Sequence, residues 1–247
     1  MRATAFEFRF RMIFVLTIAA LGFWAPWIQF WGFGARISLL EWLSLQLSRT
    51  GLASFTVAVP LVIVLATLIA ALGAVLRVCG TAYLGSEIVK HGDMQAGPVM
   101  ADGPYRYVRN PLYLGLWFVF MATSFLMPAT GAALSLVLLS IFLIRLALGE
   151  EAFLRPKLGE PYSAYLRAVP RLIPRLRTTL PPAGNKPRWG QALVYELYPI
   201  AVFVILACLS WSYNNRIMEQ ALLVAFGAAL IGRALLPGLK PAANSPQ

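Results

Sequence analysis

Two pairs of polar residues flank neighbouring apolar segments, where they could bind a small charged molecule. Asn110 and Pro111 precede one apolar run, and Glu150 and Glu151 follow the next. Asparagine favours the N-cap of a helix and proline its first position, so a positive helix end with free N–H groups is expected at Asn110. Such an end can hold an anion. The two carboxylates can hold a cation or accept hydrogen bonds from hydroxyls.

The two apolar runs, 112–127 and 131–148, are joined by only three residues. They are therefore expected to form a tight antiparallel hairpin, which brings residues 109–111 next to residues 150–151. An anion site beside a cation site suits a zwitterion, such as the amino-acid part of S-adenosylmethionine. A simpler interpretation stays open, in which Asn110 caps a helix and the glutamates meet nearby arginines.

The composition is that of a membrane protein. Of 247 residues, 59% are hydrophobic and 13% are charged, whereas soluble domains are about 45–50% apolar and 25% charged. Runs near the 20 residues that a helix needs to cross a bilayer predict an all-α bundle of about six spans, in which the hairpin of the third and fourth spans carries the site. The predicted spans are 12–31, 53–76, 112–127, 131–148, 191–211 and 218–236.

Basic residues lie mainly on one side of these spans. With the N-terminus in the cytosol, 16 Lys and Arg fall on the cytosolic side and 3 on the other. This positive-inside pattern predicts that both termini are cytosolic. It also accounts for the net charge of +11, so no nucleic-acid partner is predicted.

Histidine and cysteine usage excludes several kinds of site. His91 is the single histidine, which argues against a histidine-rich metal site and against a histidine-based triad. Cys79 and Cys208 lie far apart and form neither a disulfide framework nor a C-x-x-C motif. No metal is predicted.

Three motifs in order make the middle of the chain similar to a known family. They are GPYRYVRNPLYLG at 103–115, then Glu150-Glu151 with Leu154, then Leu158, Gly159, Glu160, Tyr162, Tyr165, Val169, Pro170, Arg171 and Pro174. This pattern strongly resembles the isoprenylcysteine carboxyl methyltransferase family and its phospholipid methyltransferase relatives, particularly the bacterial members. The resemblance covers about residues 77–175.

The resemblance implies a membrane enzyme that binds S-adenosylmethionine from the cytosolic side and methylates a lipidic or isoprenoid-like acceptor from the bilayer; if the source is bacterial, this is the plasma (inner) membrane. Glu151 and the segment 162–174 would cover the site. The implied cofactor-binding residues are Lys90, Gly97, Pro98, Val99, Met100, Tyr105, Asn110, Pro111, Leu112, Tyr113 and Glu150.

Two positions depart from the isoprenylcysteine enzymes. Asn110 stands where they have histidine, so no group titrates near neutral pH at this position. Leu146 stands where they place an arginine that holds the substrate carboxylate, and Arg145 is displaced by roughly 100° around the helix. A prenylcysteine carboxylate is therefore in doubt as the substrate.

Arg145 and Glu151 are the predicted catalytic residues. An ionised side chain inside a span is costly and is a functional candidate by default, although Arg145 lies close enough to the cytosolic end to extend its charge to the surface. An ammonium acceptor would need a base, for which Glu151 and Glu196 are candidates, whereas a carboxylate acceptor needs none. For Glu196, a satisfied interfacial carboxylate is the alternative.

Two rival functions stay open. Sterol and steroid reductases share a similar hairpin and bind NADPH, but Leu112 and Leu116 occupy positions where they usually carry Asn and an acidic residue. A non-catalytic lipid-binding protein on the same scaffold is the second rival. The predicted organisation is an N-terminal two-span segment (1–76), a methyltransferase-like core (77–176), and a linker with a C-terminal two-span segment (177–247).

Overall fold

The computed structural model describes residues 2–34, 36–85, 101–178 and 180–235, and within them the chain is helical with no β-strand. The all-α prediction is confirmed. The α-helices of this part are α1 (Ala5–Arg9), α2 (Arg11–Trp24), α3 (Pro26–Trp31), α4 (Leu39–Arg49), α5 (Phe55–Leu84), α6 (Pro111–Ser124), α7 (Ala129–Ala168), α8 (Trp189–Tyr195), α9 (Leu197–Leu209) and α10 (Asn215–Leu235).

Three helical segments are long and apolar enough to cross a membrane, namely Arg11–Trp31, Phe55–Leu84 and Ala129–Ala168. The pair Trp189–Tyr195 and Leu197–Ser212, bent by 69°, forms a fourth if it is taken as one span. Helix α6 is apolar but has only 14 residues. The part of the chain that the structure describes thus contains three to four candidate spans, and the arrangement of six spans stays a prediction.

Helices α5 and α6 cross at two glycines. A Cβ atom at Gly73 would lie 2.7 Å from the backbone nitrogen of Val119, and one at Gly115 would lie 3.0 Å from that of Arg77. The crossing therefore brings backbone against backbone, which small residues permit in membrane helices. This close approach places Arg77 of α5 beside the first turn of α6.

The loop that joins α6 to α7, residues 125–128, is buried beneath the start of α4. Phe125 and Met127 are buried, and their carbonyl groups accept hydrogen bonds from the backbone N–H groups of Leu40 at 3.0 Å and Leu39 at 2.7 Å. These bonds satisfy backbone groups that a buried loop would otherwise leave unpaired. The hairpin is thereby held at the end opposite to Glu150.

Helix α7 consists of two helical stretches joined at Gly159. The φ of 63° and ψ of −142° at this residue are non-helical, and glycine adopts a positive φ without the steric cost that a Cβ brings. Pro156 and Pro161 flank the break. The stretch that follows the break leads into the segment that covers Glu151.

Helices of all three predicted domains pack together. One apolar cluster joins Val62 of α5, Phe125 after α6, Val202 of α9 and Leu222 of α10. The boundary predicted after residue 76 falls inside α5, which continues to Leu84. The division into three domains stays a prediction.

Candidate cofactor site

The start of α6 and the end of the apolar part of α7 lie side by side, as expected for the predicted hairpin. Nη1 of Arg109 lies 3.1 Å from Oε1 of Glu151, and Tyr113 forms a side-chain hydrogen bond with Glu150. Further along, Nε1 of Trp117 donates to Oγ of Ser140 at 2.9 Å. These contacts bring one face of α6 against α7 with Glu150 at its end.

Asn110 occupies the N-cap position of α6, with Pro111 as the first helical residue. The simpler interpretation, in which the Asn110 side chain caps the helix, is wrong, because this side chain makes no capping hydrogen bond. Its ψ is 62°, whereas the capping residues Thr4 and Ser38 have values of 163° and 153°. The Nδ2 atom of Asn110 is instead buried with no hydrogen-bond partner among the described residues.

Tyr105 supplies a second buried donor without a partner. Its ring is buried, and its hydroxyl makes no hydrogen bond within the described residues. Burial raises the pKa of Tyr105 well above its usual range, and the nearby charge of Glu150 raises it further. The hydroxyl therefore keeps its proton at any physiological pH and can donate a hydrogen bond. A buried donor without a partner costs about 1–3 kcal/mol, which a bound acceptor would recover.

The remaining predicted cofactor residues fall into two groups. Leu112 offers its carbonyl group to Nη1 of Arg77 at 3.3 Å, so its backbone supports the site. The other five lie outside the described residues, and they are Lys90, Gly97, Pro98, Val99 and Met100.

Glu150 is half-buried and differs from the other acidic residues near it. It forms no ion pair within 4 Å among the residues that the structure describes; the hydroxyl of Tyr113 is its side-chain hydrogen-bond partner, and the guanidinium of Arg11 stabilises its charge from a greater distance. Its charge is therefore available to a further donor. Described acidic, histidine and cysteine side chains form no group of three that could hold a metal ion.

Glu151 is buried between two arginines. Nε and Nη2 of Arg171 donate to its two oxygens at 2.9 and 2.7 Å, and Nη1 of Arg109 donates at 3.1 Å. Nε of Arg109 also donates to the Val169 carbonyl at 2.6 Å. Glu151 thus contacts the segment 162–174; that the two cover a cofactor site stays a prediction. Both oxygens of Glu151 are occupied by guanidinium groups.

Arg145 lies in an ion pair with the N-terminal segment. Its Nη2 atom donates to both oxygens of Glu7 at 2.8 and 2.9 Å, and its carbonyl accepts from the backbone of Ala3 at 3.0 Å. A hydrogen bond from the Thr4 backbone lowers the pKa of Glu7; burial opposes this shift and Arg145 adds to it. The neighbouring Leu146, at the position where the isoprenylcysteine enzymes have arginine, is 1% exposed and packs in an apolar cluster.

Sequence analysis did not identify the most deeply buried ion pair of this end. Glu196, at the break between α8 and α9, is fully buried and accepts from Nε and Nη2 of Arg77 at 2.8 and 2.7 Å. The Thr81 hydroxyl donates to Oε1 of Glu196 at 2.5 Å. Glu196 is thus a satisfied carboxylate. Glu196 and Arg77 lie near the cytosolic ends of two predicted spans, and this placement was the signal in the sequence from which the pair could have been predicted.

A second support that the sequence did not reveal ties the linker to the loop of Tyr105. Asp102 is buried and accepts from the backbone N–H groups of Ala183 at 2.7 Å and Asn185 at 2.9 Å, and from Nδ2 of Asn185 at 2.7 Å. Burial by itself raises the pKa of Asp102, but these hydrogen bonds outweigh it and lower the pKa below its usual value. The anchored linker fixes the loop on which Tyr105 lies.

Comparison with known proteins agrees with this geometry. Residues 61–160 match the family model described as phospholipid methyltransferase. No significant match was found among curated proteins or among solved structures. The matched region contains α6, the apolar part of α7 and the polar residues between Tyr105 and Glu151, so the resemblance drawn from the sequence is confirmed for this part of the chain.

Proposed function

We propose that the protein is an S-adenosylmethionine-dependent methyltransferase that acts on a lipidic acceptor at the cytosolic face of the membrane. One observation carries the proposal. In the region that matches the phospholipid methyltransferase family, the buried donors of Tyr105 and Asn110 have no partner among the described residues, and the carboxylate of Glu150 forms no ion pair with any of them. Two donors and one acceptor are what the carboxylate and the ammonium group of an amino acid require.

The residues present fit this cofactor. Nδ2 of Asn110, the hydroxyl of Tyr105 and the free N–H groups at the start of α6 would hold its carboxylate. Glu150, oriented by Tyr113, would accept from its ammonium group. When bound, S-adenosylmethionine supplies a methyl group already activated on a sulfonium. The protein therefore contributes binding, alignment and a dry site more than acid–base chemistry.

The candidate bases support a division of roles. Glu151 is held by Arg109 and Arg171, and Glu196 by Arg77 and Thr81. A carboxylate that accepts several charge-assisted hydrogen bonds is a poor proton acceptor. We therefore assign Glu151 to positioning. We assign Glu196 to the same role because Arg77 and Thr81 occupy its two oxygens.

The acceptor arrives from the bilayer. Leu146 is buried where a carboxylate-binding arginine would be needed, and Arg145 is engaged by Glu7. Arg145 thus ties the N-terminal segment to α7, and the acceptor is a lipid other than a prenylcysteine carboxylate.

We infer that residues 2–9, 101–110 and 149–188 face the cytosol. The contacts of Arg145 with Glu7 and of Asp102 with Asn185 bring these three segments to one end of the bundle, and they carry most of the basic residues. Six spans with both termini cytosolic suit this arrangement. A single cysteine at Arg49 should label from outside and one at Pro182 should not, and the reverse pattern would refute the orientation.

The direct test is transfer of labelled methyl groups from S-adenosylmethionine into membrane lipid extracts, followed by identification of the product. Glu150→Gln keeps the shape of the side chain and removes its charge. Loss of a charge-assisted hydrogen bond worth about 1.5–3 kcal/mol should weaken cofactor binding by roughly 10- to 150-fold in calorimetry.

Glu160→Gln is the matched control, because its pair with Arg167 is exposed to solvent. Cofactor affinity unchanged by Glu150→Gln, in protein that unfolds at the wild-type temperature, would refute the assignment. Cofactor binding without transfer to any lipid would favour a non-catalytic lipid-binding protein.

A further inference from the structure

A basic cleft lies beside Glu151 on α7, on a different face of the helix from Glu150. It has a volume of about 170 Å³ and is lined by three arginines, Arg2, Arg155 and Arg171, together with Glu151. Glu150 and Glu151 are consecutive, so their side chains diverge by roughly 100° around the helix. Glu150 meets Tyr113 on α6, whereas Glu151 borders the cleft. The cleft is therefore distinct from the pocket proposed around Glu150, although Glu151 and Arg171 border both the cleft and the cover of that pocket.

Two of the three arginines have no acidic partner. Arg171 is engaged by Glu151, but Arg2 and Arg155 are exposed and pair with no acid among the described residues. Three positive charges and one negative charge leave the cleft with an excess of two positive charges. Guanidinium groups bind phosphate oxygens with paired N–H donors, so the cleft suits a phosphate group.

The wall of the cleft continues into a lipid-facing stripe of α7. Leu148 and Ala152 line the cleft, and they follow Val137, Ile141 and Ile144 at intervals of three or four residues, which places all five on one helical face. Val137, Ile141 and Ile144 are between 37% and 57% exposed although they are large and apolar.

This stripe ends on the charge of Arg155. Arg155 lies seven residues beyond Leu148, or about 10 Å along the axis. The exposed apolar side chains of the stripe thus lie within about 10 Å of cationic side chains, a distance that a lipid headgroup can span. An acyl chain on the stripe would place its phosphate in the cleft, an arrangement that a free phosphate ion would not use.

We propose that this cleft binds the phosphate of an acidic phospholipid from the cytosolic leaflet, as a bound lipid distinct from the methyl acceptor. Basic pockets at the cytosolic ends of membrane helices bind such headgroups. The excess of positive charge favours a lipid with net negative charge over a zwitterionic one. The bound lipid would bridge the N-terminal segment, through Arg2, to α7 and to the segment that carries Arg171.

The test measures binding of phosphatidylglycerol with a fluorescent acyl chain to the purified full-length protein in neutral detergent, by anisotropy. Arg2→Gln combined with Arg155→Gln should weaken binding by roughly 10- to 30-fold, since each arginine near an anionic headgroup contributes about tenfold or less. Arg177→Gln combined with Lys186→Gln removes the same charge from the exposed linker and should change affinity by less than about threefold.

Competition distinguishes the possible ligands. Unlabelled phosphatidylglycerol should displace the probe, whereas phosphatidylcholine and inorganic phosphate at the same concentration should not. Equal weakening by both double variants would show only general attraction to positive charge, and displacement by inorganic phosphate would show a site for a soluble ion; either result overturns the proposal. Because binding is read without methyl transfer, failure here leaves the proposed enzymatic function unaffected, and the reverse also holds.

Discussion

Removing the charge of Glu196 should destabilise the protein far more than removing the charge of an exposed glutamate. Glu196 is fully buried, and the Arg77 side chain is 14% exposed. Truncating one partner of a buried ion pair costs about 3–5 kcal/mol, because the other charge is left without compensation. Glu196→Gln retains the size and one acceptor, so a loss near the lower limit, about 3 kcal/mol, is expected.

The assay is thermal unfolding of the purified protein in one detergent, followed by intrinsic fluorescence. For a chain of this size, 1 kcal/mol corresponds to a shift of about 2–4 °C in Tm, so Glu196→Gln should lower Tm by roughly 6–12 °C. Glu160→Gln is the control, because Glu160 and Arg167 are 75% and 66% exposed. An exposed pair contributes at most about 1 kcal/mol, and its loss should shift Tm by no more than about 4 °C.

A double variant separates lost contact from an uncompensated charge. Arg77→Met combined with Glu196→Leu replaces the pair by apolar side chains of similar volume, which is often neutral in proteins. It should recover at least half of the Tm that Glu196→Gln loses. Equal shifts for Glu196→Gln and Glu160→Gln would show that Arg77 reaches water in the variant. A lower Tm for the double variant than for Glu196→Gln would show that the pair itself stabilises the fold. Either result refutes the reasoning.

Other substitutions separate binding from folding. Tyr105→Phe should weaken S-adenosylmethionine binding about fivefold in calorimetry with little change in Tm, because its hydroxyl has no partner to lose; unchanged affinity would place the pocket elsewhere. Gly115→Ala should cost about 1–3 kcal/mol in thermal unfolding by separating α5 from α6, whereas Gly190→Ala, with open space around it, should not destabilise the fold, and equal effects would contradict the close crossing. Asp102 has a lowered pKa, so its hydrogen bonds to the linker contribute stability above its ordinary pKa of about 3.9, and this stability is lost as the pH falls through the lowered value. Hydrogen exchange at residues 183–185, corrected for intrinsic rates, should therefore accelerate only below about pH 4. Acceleration near pH 6 would contradict this.

The hairpin and its polar ends could be predicted because they depend on local signals. Proline at the first helical position and apolar runs of the right length fix where α6 begins and that it returns as α7. These signals do not determine side-chain direction. Asn110 lies at the N-cap as predicted, yet its backbone is not in the extended conformation of a capping residue, and its side chain makes no capping hydrogen bond.

The supports around the site could not be predicted because they are contacts between distant parts of the chain. Arg77 and Glu196 are separated by 119 positions, and Asp102 and Asn185 by 83. The span prediction ended the second span before Arg77, whereas α5 continues to Leu84 because Glu196 and the Leu112 carbonyl receive the guanidinium. Likewise α9 begins at the break that directs Glu196 towards α5. Such pairings depend on which helices become neighbours.

The distribution of satisfied charges explains why Glu150 is the acid to assign to a ligand. Around it, the carboxylates near this end of the bundle are each occupied, by guanidinium groups or by the linker amides. Glu150 has a hydroxyl as its hydrogen-bond partner and Arg11 only at a distance beyond an ion pair. A fold that pairs its other buried charges directly and leaves one carboxylate without a direct ion pair is expected at a binding site, because an unpaired buried polar group costs stability until a ligand pairs with it. The same holds for the unpaired donors of Tyr105 and Asn110. The occupied acids are Glu7, Asp102, Glu151 and Glu196. Among the described residues, the polar groups that remain for a ligand are thus two hydrogen-bond donors and one carboxylate, as a zwitterionic ligand requires.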